Sequence, residues 1–303
     1  MRYKYYLAVI TAFTIWGFFS IVLKSLDSFP AFDILMYRSL FSVCIMLLVS
    51  LFLRPKALKR NIKLFQSLPE KNKRNIVIIN LLSGLFLALN WFIFIYVMNN
   101  VSVSATSLAY LICPILTMVM AFLILKEKLF KVQWLSVGLS LISCLLLSFG
   151  NFIDLFYSMI IAFTYAIYLV LQRKNQEMDR FLVLTFQIGI AVILLLPFMP
   201  ANVSNIEKTT FFYAIIALIA IVFTIVPMYL NIYALKGLNS SIIGVFIYLN
   251  PIINFLLAVF YFKEHISFLQ ALSFSLIGMS VIIFNIPNFR NHRKKRKAIH
   301  IKI

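Results

Sequence analysis

Charged residues are scarce in this sequence. They make up 12% of its 303 residues, and only nine of them are acidic. Because a water-soluble domain carries about 25% charged residues, this chain has too few to cover a soluble surface. Glycine is also rare, with eight residues against 31 phenylalanines, which excludes collagen-like and disordered chains.

Cysteine is equally rare, and the three present, Cys44, Cys113 and Cys144, lie within apolar runs. They show no C-x-x-C spacing and have no histidine partner, so we predict neither a disulfide framework nor a metal site. The sequence also lacks a Walker motif, and its apolar runs hold no paired carboxylates and no activated nucleophile. We therefore predict a protein that is not an enzyme and has no cofactor.

Apolar sequence is abundant. Hydrophobic residues make up 63% of the chain, and the mean hydropathy is +0.98. They form continuous runs of about 20 residues, which is long enough to cross a bilayer as helices, without the alternation of a β-barrel. The runs, here called spans one to ten, cover about 5–24, 31–53, 76–98, 104–125, 131–149, 153–172, 180–199, 210–235, 240–262 and 268–286. The predicted fold class is an all-α integral membrane protein with ten transmembrane helices.

The net charge of +19 is explained by topology. When the N-terminus is placed in the cytoplasm, 24 of the 28 Lys and Arg residues fall in cytoplasmic segments, and only Lys24, Lys208 and Lys263 fall outside. This asymmetry is the positive-inside pattern and predicts that both termini are cytoplasmic. No nucleic-acid-binding motif accompanies the basic residues, so we predict no nucleic-acid partner.

An internal repeat divides the chain into two halves. At a fixed shift of 137 residues, eight pairs coincide without a gap: Ile95/Ile232, Tyr96/Tyr233, Ser104/Ser241, Pro114/Pro251, Ala121/Ala258, Lys126/Lys263, Glu127/Glu264 and Gln133/Gln270. Each half holds five spans, an odd number, so the halves must insert with opposite orientations. We predict a first five-helix repeat over 1–150, an inverted second repeat over 151–287, and a basic cytoplasmic tail over 288–303.

Several segments occur in an order typical of one family. They are Ile15-Trp16-Gly17, the run from Phe29 to Arg38, Asn90-Trp91, Tyr110 with Pro114, Gln133-Trp134-Leu135, Thr224-Ile225-Val226-Pro227 and Tyr248-Leu249-Asn250-Pro251. Together they resemble the RarD branch of the EamA permeases, in the drug/metabolite transporter superfamily, over about residues 5–287. The chain departs from that pattern at Tyr37, Cys113 and Asn250.

The resemblance implies ten helices in two inverted five-helix repeats, with a central cavity lined mainly by the first four helices of each half. It also implies transport of a small metabolite or drug across the bacterial cytoplasmic membrane. The predicted partners are therefore a small-molecule substrate and the lipid bilayer. The oligomeric state is not predicted.

Arg38 is the clearest candidate for substrate binding because ionisable groups inside a membrane are costly unless they face a cavity or a partner. It lies about seven residues into span two and could attract a carboxylate, phosphate or carbonyl. Two structural alternatives are an ion pair with Asp33 and snorkelling to the interface.

Polar and aromatic stripes supply the remaining candidates. The predicted substrate-binding residues besides Arg38 are Trp16, Asn90, Trp91, Tyr110, Tyr248, Asn250 and Asn254. For each of the polar residues, packing between helices is the alternative. Pro114, Pro251 and Pro227 are candidates for kinks or gates because proline removes a helical hydrogen bond.

These observations predict a secondary transporter that works by alternating access. The alternatives are a non-transporting structural or regulatory membrane protein, and an intramembrane enzyme. No Asp or Glu lies deep within a span, which favours a facilitator or an exchanger with a counter-substrate. Coupling, to protons or otherwise, through a less obvious group is the alternative.

Overall fold

The computed structural model describes residues 3–148, 152–174, 178–261, 263 and 267–300, with side chains except at 103, 104, 258 and 288–300. The secondary structure of this described part is helical throughout. Long apolar runs form helices because a helix satisfies all its backbone hydrogen bonds within one segment.

The helices follow the predicted spans closely. Their bounds, in chain order, are Tyr3–Gly17 and Phe19–Leu23 (span one), Ala31–Leu48 with a π-helical turn Val49–Leu53 (span two), Glu70–Asn100 (three), Val103–Leu125 (four), Lys131–Leu147 (five), Phe152–Lys174 (six), Arg180–Leu195 with Met199–Asn202 (seven), Thr210–Leu218, a π-helical segment Ile219–Ile225 and Val226–Ala234 (eight), Ser240–Phe246 and Leu249–Phe260 (nine), and Phe268–His300 (ten). Short 3₁₀ turns at Lys24–Leu26 and Leu196–Phe198 extend spans one and seven.

Ten spans are consistent with these helices. In the described part of the chain, nine helical segments are long and apolar enough to cross a membrane, and Lys131–Leu147 is a shorter apolar helix. One further helix, Pro55–Ser67, lies in the segment that the sequence analysis assigned to a basic loop. Proline at its first position fits a helix start, and its basic residues suit the surface of a membrane.

The contacts between spans show the inverted repeat directly. Equivalent spans of the two halves are one and six, two and seven, three and eight, four and nine, and five and ten. Contacts between two spans recur between their equivalents. Spans four and six pack together, and so do spans nine and one; spans three and seven pack together, and so do spans eight and two; spans three and six pack together, and so do spans eight and one. The spans that face their own equivalents are two with seven, four with nine and five with ten. This arrangement confirms two interleaved five-helix repeats related by a pseudo-twofold axis.

Local structure repeats along with the contacts. Lys126 and Lys263, 137 residues apart, both have left-handed backbone conformations, with φ of 54° and 56°. After each of them, a glutamine side chain caps the next helix: Gln133 accepts from the N–H of Phe130, and Gln270 from that of Ser267, both at 2.9 Å. Glu264, which the repeat pairs with Glu127, lies outside the described residues.

Spans five and ten are joined by serines at repeat-equivalent positions. Ser136 donates to the carbonyl of Ser280, while Ser143 donates to the carbonyl of Ser273. The two hydrogen bonds join repeat-equivalent pairs of residues, although span five supplies the donor hydroxyl in both. Small hydroxyl residues let membrane helices approach closely, so this pair holds the two repeats together away from the cavity described below.

Gly84 lets spans three and seven approach closely. A Cβ added there would lie 2.7 Å from the side chain of Ile190 and 3.2 Å from the carbonyl of Gln187. We therefore expect Gly84→Ala to destabilise the protein by about 1–3 kcal/mol through overpacking, partly offset by the better helix propensity of alanine. Thermal unfolding in detergent measures the effect.

Gly138→Ala is the matched control. It makes the same change in a helix where an added Cβ meets nothing within 4 Å. The control should therefore unfold at the wild-type temperature or slightly above it. Equal unfolding temperatures for the two variants would contradict the close approach of spans three and seven at Gly84.

Candidate functional site

A cavity lies between spans one, three, six and eight, which are two pairs of repeat-equivalent helices. It encloses about 280 Å³ of empty space, counting the part that is open to its surroundings, and is lined by Trp16, Leu87, Trp91, Tyr165, Tyr168, Met228 and Asn231. Drug-sized ligands occupy pockets of about 300–1,000 Å³, and the enclosed part of this cavity is smaller than that. Aromatic rings form most of its wall. The sequence analysis placed Trp16 and Trp91 among the binding residues, and both line this cavity.

Trp16 is held in place by an unusual backbone acceptor. Pro227 has no N–H to donate to the carbonyl four residues earlier, which is that of Phe223. The indole N–H of Trp16 donates to this carbonyl at 2.9 Å and so ties span one to span eight. Because the N–H is used in this bond, Trp16 offers its ring to the cavity as an apolar wall. Pro227 thus has a structural consequence beyond the bend predicted from the sequence.

Arg38 lies beside the cavity, held by aromatic rings. Its guanidinium carbon is 5.4 Å from the ring centroid of Trp91 and 5.9 Å from that of Phe19, which is within cation–π range. The guanidinium forms no salt bridge and no hydrogen bond with any described residue. It is therefore a cation without an acidic partner among the described residues, in a helical segment that is long and apolar enough to cross a membrane.

Asp33, the alternative partner of Arg38, is engaged elsewhere. Its fully buried carboxylate lies 3.0 Å from the ammonium of Lys208 and accepts hydrogen bonds from both the N–H and the hydroxyl of Ser204. The pairing of Asp33 with Arg38 considered from the sequence is therefore absent from the structure. Five residues place the two side chains on different faces of the helix, which explains the difference.

Tyr110 marks a cleft that leads to Arg38. Between residues 105 and 115 of span four, only Ser107 and Tyr110 are exposed, and Tyr110 is 39% exposed. Two exposed residues three positions apart lie on one face of this otherwise buried stretch, and that face borders a gap between helices. The ring of Tyr110 contacts that of Phe94 edge-on, with centroids 5.8 Å apart, so Tyr110 lies against span three, which carries Trp91 of the cavity wall.

The other end of the cavity is closed by amide side chains. Gln187 donates to the side-chain oxygen of Asn80 at 2.9 Å, and Gln172 donates to Gln187. All three side chains are buried, and Gln172 lies one helical turn beyond Tyr168 of the cavity wall. These residues come from spans three, six and seven, so the network joins the two repeats beneath the cavity.

A second contact, here called the Glu127 clasp, closes the same side. The carboxylate of Glu127 accepts hydrogen bonds from the N–H groups of Ser240 and Ser241 at 2.9 and 3.0 Å, and from the hydroxyl of Ser241 at 2.6 Å. It therefore caps the start of span nine, where the helix dipole favours a negative charge. The clasp therefore joins Glu127 of the first repeat to the second repeat.

The remaining predicted residues make contacts between helices. Asn90 donates to the carbonyl of Ile161 and to Thr164 in span six. Asn254 donates to the side-chain oxygen of Asn250 at 2.6 Å and accepts from Ser20 at 2.9 Å, which links spans one and nine. Tyr248 is 1% exposed and packs in the core. None of these four predicted residues lines the cavity described above.

The two repeat-equivalent prolines lie in different local structures. Pro114 lies inside the continuous helix Val103–Leu125, whereas Pro251 follows an interruption of span nine at residues 247 and 248. The carbonyl of Ile247, which Pro251 cannot engage, instead accepts from the N–H of Asn250 at 3.1 Å. The two prolines occupy equivalent positions in the repeats, but the backbone around them is continuous helix at Pro114 and interrupted helix before Pro251.

Tyr165 and Met228 were missed by the sequence analysis, and Asn231 was not among its binding candidates. Tyr165 lies three residues before Tyr168, so the two share a helix face, and Met228 is the repeat equivalent of Trp91. Applying the 137-residue shift to Trp91 would have found Met228. Asn231 places an amide within the otherwise apolar and aromatic wall.

An all-helical membrane fold of two inverted repeats around a small central cavity defines a polytopic transport protein. The EamA-like transporter family matches residues 3–149 and 153–286, and the chain belongs to that family. This confirms the resemblance derived from the sequence.

Curated relatives agree over nearly the whole length. The chain is 26% identical to "Uncharacterized transporter YojE" of Bacillus subtilis, with 94% of each chain covered. It is 25% identical to "Protein RarD" of Escherichia coli, covering 96% of this chain and 97% of that protein. A chain of known crystal structure superposes with a TM-score of 0.74 at 15% identity over 96% of this chain, which shows the shared fold. The chain is thus a multi-pass membrane transporter.

Proposed function

We propose that this transporter is a secondary carrier that moves a small polar or amphipathic metabolite across the bacterial cytoplasmic membrane by alternating access. The observation that carries the proposal is the unpaired guanidinium of Arg38 beside an aromatic cavity at the depth of the membrane. An unpaired charge at this depth is costly, and a functional role accounts for it.

Alternating access is supported by the differences between the two repeats. The amide network and the Glu127 clasp close one side, while the exposed stripe of Ser107 and Tyr110 leads from the other. Exchanging the conformations of the two halves about the pseudo-twofold axis would open the closed side and close the open one. The unequal environments of Pro114 and Pro251 are what such an exchange requires, because each proline would adopt the other's conformation.

The proposed orientation follows the positive-inside pattern, with both termini cytoplasmic. The repeats are proposed to divide at residue 150, followed by the basic tail over 288–303. The clasp and the amide network then lie on the cytoplasmic side, and the cleft at Tyr110 opens outward.

Binding is proposed to centre on Arg38, Trp16, Trp91 and Tyr110. The guanidinium supplies hydrogen-bond donors for a carboxylate or phosphate, and the rings enclose an apolar part. The enclosed part of the cavity is smaller than the pockets of drug-sized ligands, which favours a metabolite.

The first test of this function is a melting-shift screen followed by counterflow. Purified protein is heated with carboxylates, phosphates and neutral amphipathic compounds, because a ligand at about 100 times its dissociation constant stabilises by about 2.7 kcal/mol. Carboxylates or phosphates that stabilise the protein are expected to exchange across proteoliposome membranes. A protein that binds such compounds without exchanging them would instead be a non-transporting binding protein.

We expect exchange to be independent of an imposed pH gradient. No described carboxylate lines the cavity or the cleft, so no acidic group there can pick up a proton with each transport cycle. The measurement is counterflow with and without a gradient of one pH unit. Net uptake that follows the gradient without counter-substrate would contradict the exchanger and indicate proton coupling.

A further inference from the structure

The floor of the cavity carries two buried polar atoms without partners. The side-chain oxygen of Asn231 and the hydroxyl of Tyr168 form no hydrogen bond with any described residue. Both residues line the cavity, and each is only 2% exposed. Because an unpaired buried polar group is unfavourable, a ligand that reaches the floor gains by pairing with it. The Asn231 oxygen is a hydrogen-bond acceptor, so it can be paired only by a ligand that carries a hydrogen-bond donor.

The walls above that floor are flat and apolar. Trp16 has its only hydrogen-bonding group occupied by the carbonyl of Phe223, and Trp91 is in contact with the guanidinium of Arg38. Both indole rings and the ring of Tyr165 border the cavity. Rings in this arrangement favour a planar partner, through stacked or edge-to-face contacts. The cavity thus runs from a cation, past aromatic rings, to a neutral acceptor.

The charges around the cavity decide what kind of donor fits. Arg38 is a cation, and the described lining contains no carboxylate. All nine acidic residues lie in loops or near span ends. A substrate ammonium group would therefore be desolvated next to a cation, without a counter-ion, whereas a hydroxyl or a ring N–H would meet the Asn231 oxygen at no such cost.

We propose that the substrate is a small aromatic monocarboxylate with a neutral O–H or N–H donor on its ring and no ammonium group. Its carboxylate binds Arg38, its ring lies among Trp16, Trp91 and Tyr165, and its donor pairs with the oxygen of Asn231. This inference rests on the proposed carrier function. It further predicts that the site distinguishes an aromatic acid from the corresponding amino acid.

Matched ligands test this specificity on the wild-type protein. The probes are 4-hydroxybenzoate, which has the donor, 4-methoxybenzoate, which has lost it, and tyrosine, which adds an ammonium group. We expect 4-hydroxybenzoate to bind about tenfold tighter than 4-methoxybenzoate, as judged by melting shift and inhibition of counterflow. Tyrosine should give no shift at the same concentration. Equal affinities for the first two, or tighter binding of tyrosine, would overturn the proposal.

A variant assigns the preference to one residue. Asn231→Leu has a similar volume and no acceptor, so it should bind 4-hydroxybenzoate and 4-methoxybenzoate equally. Asn90→Leu makes the same change in span three, where the amide donates to span six. It should lower the unfolding temperature and keep the tenfold preference. Loss of the preference in Asn90→Leu, or its retention in a folded Asn231→Leu, would contradict the assignment.

The failure of this inference is distinguishable from failure of the carrier function. If anions without a ring or donor exchange in proteoliposomes and these aromatic acids do not, the carrier stands and the substrate class is wrong. If no anion exchanges, the result contradicts the carrier function, and it therefore also contradicts the proposed substrate class. Should Asn231→Leu not fold, the ligand comparison on wild-type protein decides the question by itself.

Discussion

Counterflow of the carboxylate that stabilises the protein most is expected to fall by roughly 10- to 100-fold when Arg38 is replaced by alanine. A hydrogen bond to a charged group is worth about 1.5–3 kcal/mol, and Arg38 offers the only unpaired guanidinium among the described residues that border the cavity. Arg38→Lys should recover part of the activity, because it keeps the charge but loses the planar fork that matches a carboxylate. The rate is measured in proteoliposomes with equal protein incorporation.

Arg60→Ala is the control for this prediction. Arg60 is exposed on the helix Pro55–Ser67, which contributes no residue to the cavity lining. Its removal should leave counterflow and the unfolding temperature unchanged. If Arg38→Ala protein folds and exchanges carboxylates at the wild-type rate, Arg38 does not bind the substrate.

Cross-linking across the Glu127 clasp is expected to stop transport almost completely. The clasp joins the end of span four to the start of span nine, which belong to different repeats. Cysteines at Glu127 and Ser241, in a background without Cys44, Cys113 and Cys144, can be joined by a short bifunctional methanethiosulfonate reagent. The bridge would hold the cytoplasmic side closed, and alternating access requires that side to open.

The two single-cysteine variants are the control, since the reagent modifies them without bridging the repeats. The reagent should change the activity of each single variant little, and reductant should return the cross-linked double variant to its activity before cross-linking. Undiminished counterflow in a fully cross-linked protein would show that spans four and nine need not separate at this end. The gate would then lie elsewhere.

The architecture was predictable from the sequence because lipid imposes strong rules. Continuous apolar runs must be helices, and a shared Pro, Lys-Glu and Gln at one spacing identifies the repeat. The helix Pro55–Ser67 was missed because its many basic residues give it low hydropathy, and a segment of low hydropathy between two spans is assigned to a loop. The conformational difference between Pro114 and Pro251 was also unpredictable, since equivalent sequences give no reason for unequal conformations.

The candidate site was only partly predictable. Trp16, Trp91 and Arg38 stood out because large aromatic or charged groups inside a membrane need a reason to be there. The asparagines were harder to assign, because Asn90 uses its amide between helices while Asn231 has its oxygen buried beside the cavity. The two side chains are chemically identical, so only their neighbours in space distinguish packing from binding.

The most direct test of the carrier is the accessibility of two serine positions on opposite sides of the cavity. Ser107 is exposed in the outer cleft, and Ser83 is fully buried one turn below Leu87. Ser107→Cys should react with an impermeant thiol reagent applied from outside, and Ser83→Cys should stay protected from both sides. Adding Glu127→Ala to release the clasp should lower labelling of Ser107→Cys from outside and raise labelling of Ser83→Cys from the cytoplasm. Labelling that rises or falls at both positions together would contradict a site exposed to one side at a time.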